Sequence, residues 1–272
     1  MPDRSGILAI KGAILGDIIG SQYEFKRPDD FDNKTALLLT EKCKFTDDTV
    51  MSIATKYAIE HKMDFAKAYQ FFGLKYRNVG YGTRFAEWID EQEKEPYESY
   101  GNGSAMRVSF VADYFYLKDK VIEYATKSAE CSHNHPEGIK GAVVTAVCIW
   151  MAKQGYLKEE VLKYAIEQYP KEKYTFSPEL SLDEIRKTYK WNETCQGSVP
   201  VAIRCVYEAN NYTEFIRNVF SLNCDTDTLC AIGGGIAEEL LDNTYDEILP
   251  FYNDIFAKYL DEFLLETLYE KI

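Results

Sequence analysis

Apolar positions along this chain recur at helical spacing almost from end to end. After Thr49, Val50, Ile53, Ala54, Tyr57 and Ala58 fall at i, i+3, i+4, i+7 and i+8, which is one face of a helix. Leu229, Ile232, Ile236 and Leu240 repeat the pattern far downstream. The first element runs from Leu8 to Phe25, and Gly12, Gly16 and Gly20 line one of its faces. Glycine costs a helix about 1 kcal/mol relative to alanine, so this stripe implies a closely packed neighbour. Gly233-Gly234-Gly235, inside the last long apolar helix, carries the same implication. Asp64 reads as an N-cap, Ser181-Leu182-Asp183-Glu184 as a capping box, and Thr213 as the cap of another helix. Pro170 to Asn192 reads as a charged excursion or lid, and the tail from Tyr245 as helical. Long alternating runs and hairpin signals are missing. The pattern predicts an all-α fold, a single compact multi-helix domain over residues 1–272 with about a dozen helices.

Two of these helices open on doubled acids. Phe45-Thr46-Asp47-Asp48-Thr49 and Cys224-Asp225-Thr226-Asp227-Thr228 each put two carboxylates and two hydroxyls into five residues. One acid per helix start is ordinary capping. Two, twice over, repel one another and point to hard divalent cations held by oxygen ligands, Mg²⁺ or Mn²⁺. Asp17 interrupts the first apolar helix, with Glu24 two turns further along the same face. Ser99-Tyr100-Gly101-Asn102-Gly103-Ser104 leads into a helix, and a run of free backbone N–H groups there would suit an anion. His133 and His135 are two of only three histidines. No third soft ligand stands near them at zinc spacing, so capping or phosphate contact is the better reading.

Charge and cysteine content narrow the partners. Lys and Arg number 31 against 44 Asp and Glu, a net charge of −13, which argues against a nucleic-acid backbone as partner. Seven cysteines without a CxxC pair read as free thiols, with Cys131, Cys148, Cys205 and Cys230 buried. No secretory leader and no membrane-length run is seen, so a cytoplasmic setting is expected.

Taken together, Gly12…Gly16-Asp17…Gly20…Glu24, Thr46-Asp47-Asp48-Thr49, Tyr100-Gly101-Asn102-Gly103-Ser104-Ala105-Met106-Arg107, Ser132-His133 and Asp225-Thr226-Asp227-Thr228 resemble the ADP-ribosylglycohydrolase family, in the family's order and over nearly the whole chain. The resemblance implies a two-metal site, Mg²⁺ or Mn²⁺, and hydrolysis of the bond joining ADP-ribose to a protein side chain or small molecule. Residue by residue it implies Thr46, Asp47, Asp48, Asp225, Asp227 and Thr228 as metal ligands, and Glu24 and Asp17 as catalytic acids. It further implies Ser99, Tyr100, Gly101, Asn102, Gly103, Ser104 and His133 as substrate contacts. Tyr100 would stack on a base or ribose, and Gly80 to Gly82 would lie near the distal ribose. Two other classes stand beside it. One is an idle ADP-ribose-binding or structural descendant, against which all six ligand positions and Glu24 speak. The other is a Mg²⁺-dependent prenyl-diphosphate lyase, which would want acids at i and i+4, where Asp48 is instead followed by Thr49-Val50-Met51-Ser52. The attached group and the oligomeric state are not encoded in these motifs.

Overall fold

Helix α1 (Ala9–Gly20) is buried on every side, all twelve of its residues lying inside the protein. A helix without a polar face can only be a central one. The computed structural model describes residues 8–91 and 95–270, and around α1 it winds fourteen more α-helices. In chain order these are α2 (Asp47–Glu60), α3 (Phe65–Lys75), α4 (Thr83–Asp90), α5 (Gly103–Met106), α6 (Ser109–Tyr114), α7 (Lys118–Glu130) and α8 (Pro136–Lys153). They continue with α9 (Lys158–Gln168), α10 (Leu182–Thr188), α11 (Cys195–Tyr207), α12 (Tyr212–Phe220), α13 (Thr226–Leu240), α14 (Tyr252–Tyr259) and α15 (Glu262–Tyr269). No strand occurs among the described residues; Gly101 and Thr194 form an isolated antiparallel bridge. One hydrophobic core joins elements from Ala9 to Leu268.

The most extensive contact in the molecule is α1 against α13. The glycine stripe makes it possible. A β-carbon at Gly16 would collide with the Cys230 carbonyl, and one at Gly20 would stand 2.6 Å from the Asp227 Cα. Backbone therefore meets backbone, and the end of α1 rests on the start of α13. The other end of α1 is tied by a residue remote in sequence. Asp113 accepts hydrogen bonds from the Ala9 and Ile10 N–H groups, both at 2.9 Å, and satisfies donors that no local cap serves.

Three expectations need correction. The first element stops at Gly20 and continues as a 3₁₀ turn, Ser21–Tyr23. Glu24 therefore lies on irregular chain rather than on the face of α1, because the Ser21 hydroxyl bonds back to Ile18 O and its oxygen also accepts from Lys44 N–H. The cap of α12 is Asn211, which accepts from Glu214 N–H at 2.8 Å; Thr213 lies inside the first turn with its N–H taken by Asp246. Cys131 is half-buried where burial was expected, while Cys148, Cys205 and Cys230 are buried. The Asp64 cap and the Ser181 capping box form as expected. The charged stretch from Glu91 to Glu98 lies partly outside the described residues.

The α1–α13 contact sets a stability test. Gly16→Ala must push two backbones apart, and overpacking of this kind costs about 1–3 kcal/mol. Gly82, with nothing within 4 Å of its missing β-carbon, is the control, and Gly82→Ala should leave the urea midpoint nearly unchanged. Equal midpoints for both variants would show that the glycine stripe does not govern the packing.

A buried carboxylate centre and its cleft

The start of α2 is held by Asp17. One or other of its carboxylate oxygens accepts from Thr46 N–H at 2.9 Å, Thr46 Oγ1 at 2.7 Å, Thr49 N–H at 3.1 Å and the Thr49 hydroxyl. Four donors leave little of Asp17 for anything else. They clamp the Thr46 turn so that Asp48 faces α13, where the Thr228 hydroxyl donates to Asp48 Oδ2 at 3.3 Å across 180 positions of sequence. Carboxylate oxygens of Asp17, Asp48 and Asp227 lie within 4.8 Å of one another, and so do those of Glu24, Asp225 and Asp227. Asp227 belongs to both groups, so the two sequence clusters meet in one place. Asp47 points to the neighbouring loop. Gly80, at φ +121°, faces it, and a β-carbon there would come within 2.9 Å of Asp47 Oδ1, so glycine serves both the backbone angle and the space.

This concentration of acids is costly as it stands. Lost solvation, followed by repulsion from neighbouring carboxylates, pushes Asp47, Asp48 and Asp227 well above the usual carboxylate range. Burial raises Asp17 and Asp225 too. Glu24 is pushed up to about 7, by burial first and then by Asp225. Asp48 Oδ1 is buried and has no hydrogen-bond partner. An unpartnered carboxylate oxygen among crowded acids, with threonine hydroxyls beside it, fits hard divalent cations.

Above these acids opens a cleft of about 430 Å³ lined by Glu24, Asp47, Asp48, Asp225, Asp227 and Thr228 at one end. Ser99, Gly101, Asn102, Gly103 and His133 line it further along. The expected anion loop is only partly free. Asn102 N–H is spent on Glu193 O at 2.8 Å, and Gly101 N–H on Ser99 Oγ at 3.2 Å. The N–H groups of Gly103 and Ser104 have no partner among the described residues. The Asn102 side chain donates to Asp225 Oδ2 at 2.8 Å and to Ser198 Oγ at 3.1 Å, which ties the loop to the second acidic cluster. Ser104 is fully buried, its hydroxyl donating to Gly138 O at 2.7 Å. Tyr100 turns outward, 44% exposed, against His135 with ring centroids 5.1 Å apart, and is not part of the cleft wall.

Several further residues line the cleft. Arg84 lies over the Tyr97 ring at 4.7 Å. Phe25 and Trp191 stack at 5.5 Å and 23° on another wall of the cleft. Arg107 closes the cleft from within the core, 1% exposed. Neither composition nor periodicity could have singled these out, because each reaches the cleft through a fold that joins distant segments.

An all-helical protein with two acid-headed helices meeting under a cleft defines a class, that of all-helical folds built around a buried carboxylate centre. The ADP-ribosylglycohydrolase family model matches residues 7–237, and the chain belongs to that family. ADP-ribosylhydrolase ARH3 of Bos taurus is 25% identical over 301 aligned positions, 84% of this chain and 82% of that protein. ARH3 of Xenopus tropicalis is 27% identical, covering 84% and 85%. A solved structure described as an ADP-ribosylglycohydrolase-related protein complex shares the fold, with a TM-score of 0.71 at 19% identity over 96% of this chain and 95% of that one. No helix among the described residues is long and apolar enough to cross a membrane.

The crowding of acids predicts a signature in metal-free protein. Carboxylates whose folded pKa is raised stabilise the fold below their ordinary range, and that contribution is lost as pH rises through the folded value. For Glu24 the window runs from its ordinary value to about 7. Chelated protein should therefore melt at a lower temperature as pH rises through that window, and Mg²⁺ or Mn²⁺ should restore what is lost. Asp48→Asn should raise the melting temperature of chelated protein by removing a buried like charge, and shrink the gain on adding cation. A full gain in the variant would show that Asp48 holds no cation.

Proposed function

We propose that the protein is a divalent-cation-dependent hydrolase that releases ADP-ribose from a modified protein side chain or a small molecule. The observation that carries this reading is the meeting of Asp48, Asp225 and Asp227 beside Glu24 at one end of a cleft whose other end holds His133 and the glycine loop. Membership of the family supports the reaction class. In this reading Thr46, Asp47, Asp48, Asp225, Asp227 and Thr228 hold two cations, Mg²⁺ or Mn²⁺, and Asp17 positions the first three of them. Bound there, the cations would neutralise the carboxylates, keep Glu24 ionised and draw the vicinal hydroxyls of the distal ribose to the acidic end of the cleft.

The chain's own residues then divide the work. Gly103, with His133 facing it, leaves room for the diphosphate. Asn102 keeps Asp225 in place and fixes the loop's position relative to the acids. Ser99 and Gly101 form the wall beside it, while Ser104 and Tyr100 support the loop from outside the cleft. Glu24 stands on irregular chain at the cleft's edge, free of the clamps that hold Asp17. It takes a proton from water as the water oxygen bonds to C1″ of the ribose. The bond from C1″ to the leaving nitrogen or oxygen breaks, and the leaving group departs with the proton that Glu24 took up, so the carboxylate is restored.

The test is release of free ADP-ribose from a panel of ADP-ribosylated arginine, ADP-ribosylated serine and O-acetyl-ADP-ribose, each with Mg²⁺ or Mn²⁺ and with chelator. At least one substrate should be cleaved, and chelation should abolish cleavage. Glu24→Gln should lower kcat by about 10²–10⁴-fold, the usual worth of a general base, while affinity for ADP-ribose stays within a few-fold. No turnover on any substrate, with ADP-ribose still bound, would mark the chain as a binding protein. Full turnover in Glu24→Gln would move the base elsewhere.

A further inference from the structure

Behind His133 lies a buried arginine that the reaction outlined above does not use. Arg107 follows α5 and is 1% exposed. A guanidinium so placed would ordinarily face a carboxylate, but its partners are neutral. One terminal nitrogen donates to Ser128 O at 2.6 Å and to Ser132 Oγ at 2.9 Å. The guanidinium carbon sits 4.0 Å over the Tyr69 ring. Its Nε is buried and has no hydrogen-bond partner. The C-terminal carbonyls of α7 and the face of Tyr69 make this tolerable, since both present negative charge to a cation.

The network continues into the cleft. Ser132 Oγ lies 2.8 Å from His133 Nδ1. Arginine can only donate, so toward Arg107 the Ser132 oxygen is an acceptor. Ser132 is fully buried, and its hydroxyl hydrogen has two acceptors within reach, His133 Nδ1 at 2.8 Å and the weakly accepting Cys131 sulfur. The reverse assignment, with Nδ1–H donating to Ser132, would leave that buried hydroxyl hydrogen only the sulfur, in place of the far better imidazole acceptor. Nδ1 is therefore the acceptor, and the proton of the neutral ring resides on Nε2. Nε2 is the atom that faces the glycine loop. Added β-carbons on Gly103 and Gly101 would stand 3.2 and 3.5 Å from it, and it has no partner among the described residues. Burial, with Arg107 and Arg84 nearby, holds the His133 pKa well below its ordinary value.

We propose that Arg107, acting through Ser132, is a positioning residue that fixes His133 as the Nε2–H tautomer and aims that hydrogen at an anionic oxygen seated against Gly103. The inference rests on the ADP-ribose reading only for the identity of that oxygen, a diphosphate oxygen. The ring is then a neutral, directed donor, and the positive charge behind it stays in the core.

The ligand-free full-length protein tests the network directly. Three histidines in the chain make ring-nitrogen NMR signals assignable by single substitutions. His133 should show a protonated Nε2 and a bare Nδ1 across neutral pH. Ser132→Ala should remove that preference and raise the dissociation constant for ADP-ribose, measured with Mg²⁺ present, by about tenfold, the worth of one directed hydrogen bond. His133→Gln, whose amide reaches the Nε2 position, should bind within a few-fold of the wild type, whereas His133→Asn should not. A protonated Nδ1 in the wild type, or an unchanged ring signature in folded Ser132→Ala, overturns the proposal. Absence of ADP-ribose binding in the wild type would strike the functional reading alone, because the tautomer is read without ligand.

Discussion

The contact between the backbones of α1 and α13 is the constraint from which the site follows. With no side chains between them at Gly16 and Gly20, the two helices come close enough for Asp17 near the end of one to share a centre with Asp227 at the start of the other. The same closeness excludes water. Carboxylates that would repel weakly in solvent repel strongly there, and their raised pKa values express that cost. A fold seldom keeps such a group unless something offsets it. Hydrogen bonds offset it most fully for Asp17, which accepts from four donors, while Asp225 and Asp227 accept fewer. For Asp48, with one oxygen unpartnered, the offset available is a cation. The feature that destabilises the metal-free protein is thus the feature on which the proposed cation binding rests.

Charge along the cleft runs from acidic to basic. The carboxylates occupy one end, while Arg84, Arg107 and His133 line the other. A net charge of −13 describes the exterior field, but an elongated ligand in the cleft meets local groups that are desolvated and close, and these dominate at short range. The loop amides and His133 are only part of this local environment. Two of the four N–H groups from Gly101 to Ser104 are already engaged within the protein, and His133 is held neutral. The cationic groups that line this part of the cleft are Arg84 at the surface and Arg107 in the core.

The sequence made the helices and acid clusters legible because both are local signals. Capping chemistry and i, i+4 periodicity are decided within a few residues, which is why Asp64, Ser181 and the faces of α2 and α13 could be read directly. The meeting of the two acidic clusters came only through family resemblance, since nothing within either pentapeptide encodes the other's position. Where a long-range partner competes, local reading fails. Thr213 yielded its cap to Asn211, with Asp246 taking the Thr213 N–H. Asp113, which no helix-start signal marks, caps α1 from 103 positions away. Tyr100 and Ser104 stand in a glycine-rich motif that suggests contact with ligand, yet the bridge between Gly101 and Thr194 turns the loop so that one faces outward and the other the core.

Arg107 shows why a motif can be visible while its role is not. It closes the same run that carries Gly101 and Gly103, and nothing in that run encodes where its side chain lies. Its burial is decided by α3, which supplies the Tyr69 ring, and by the end of α7, which supplies Ser128 O and Ser132. Neither is within 20 residues of it. A direct contact would need the guanidinium in the open, where solvent screens it. Placed in the core, it acts through a serine and a histidine whose orientation is fixed by hydrogen-bond valence alone. The acidic end follows the same logic. There too the residue that sets the geometry, Asp17, lies behind the groups facing the cleft, and its own capacity is spent on holding them.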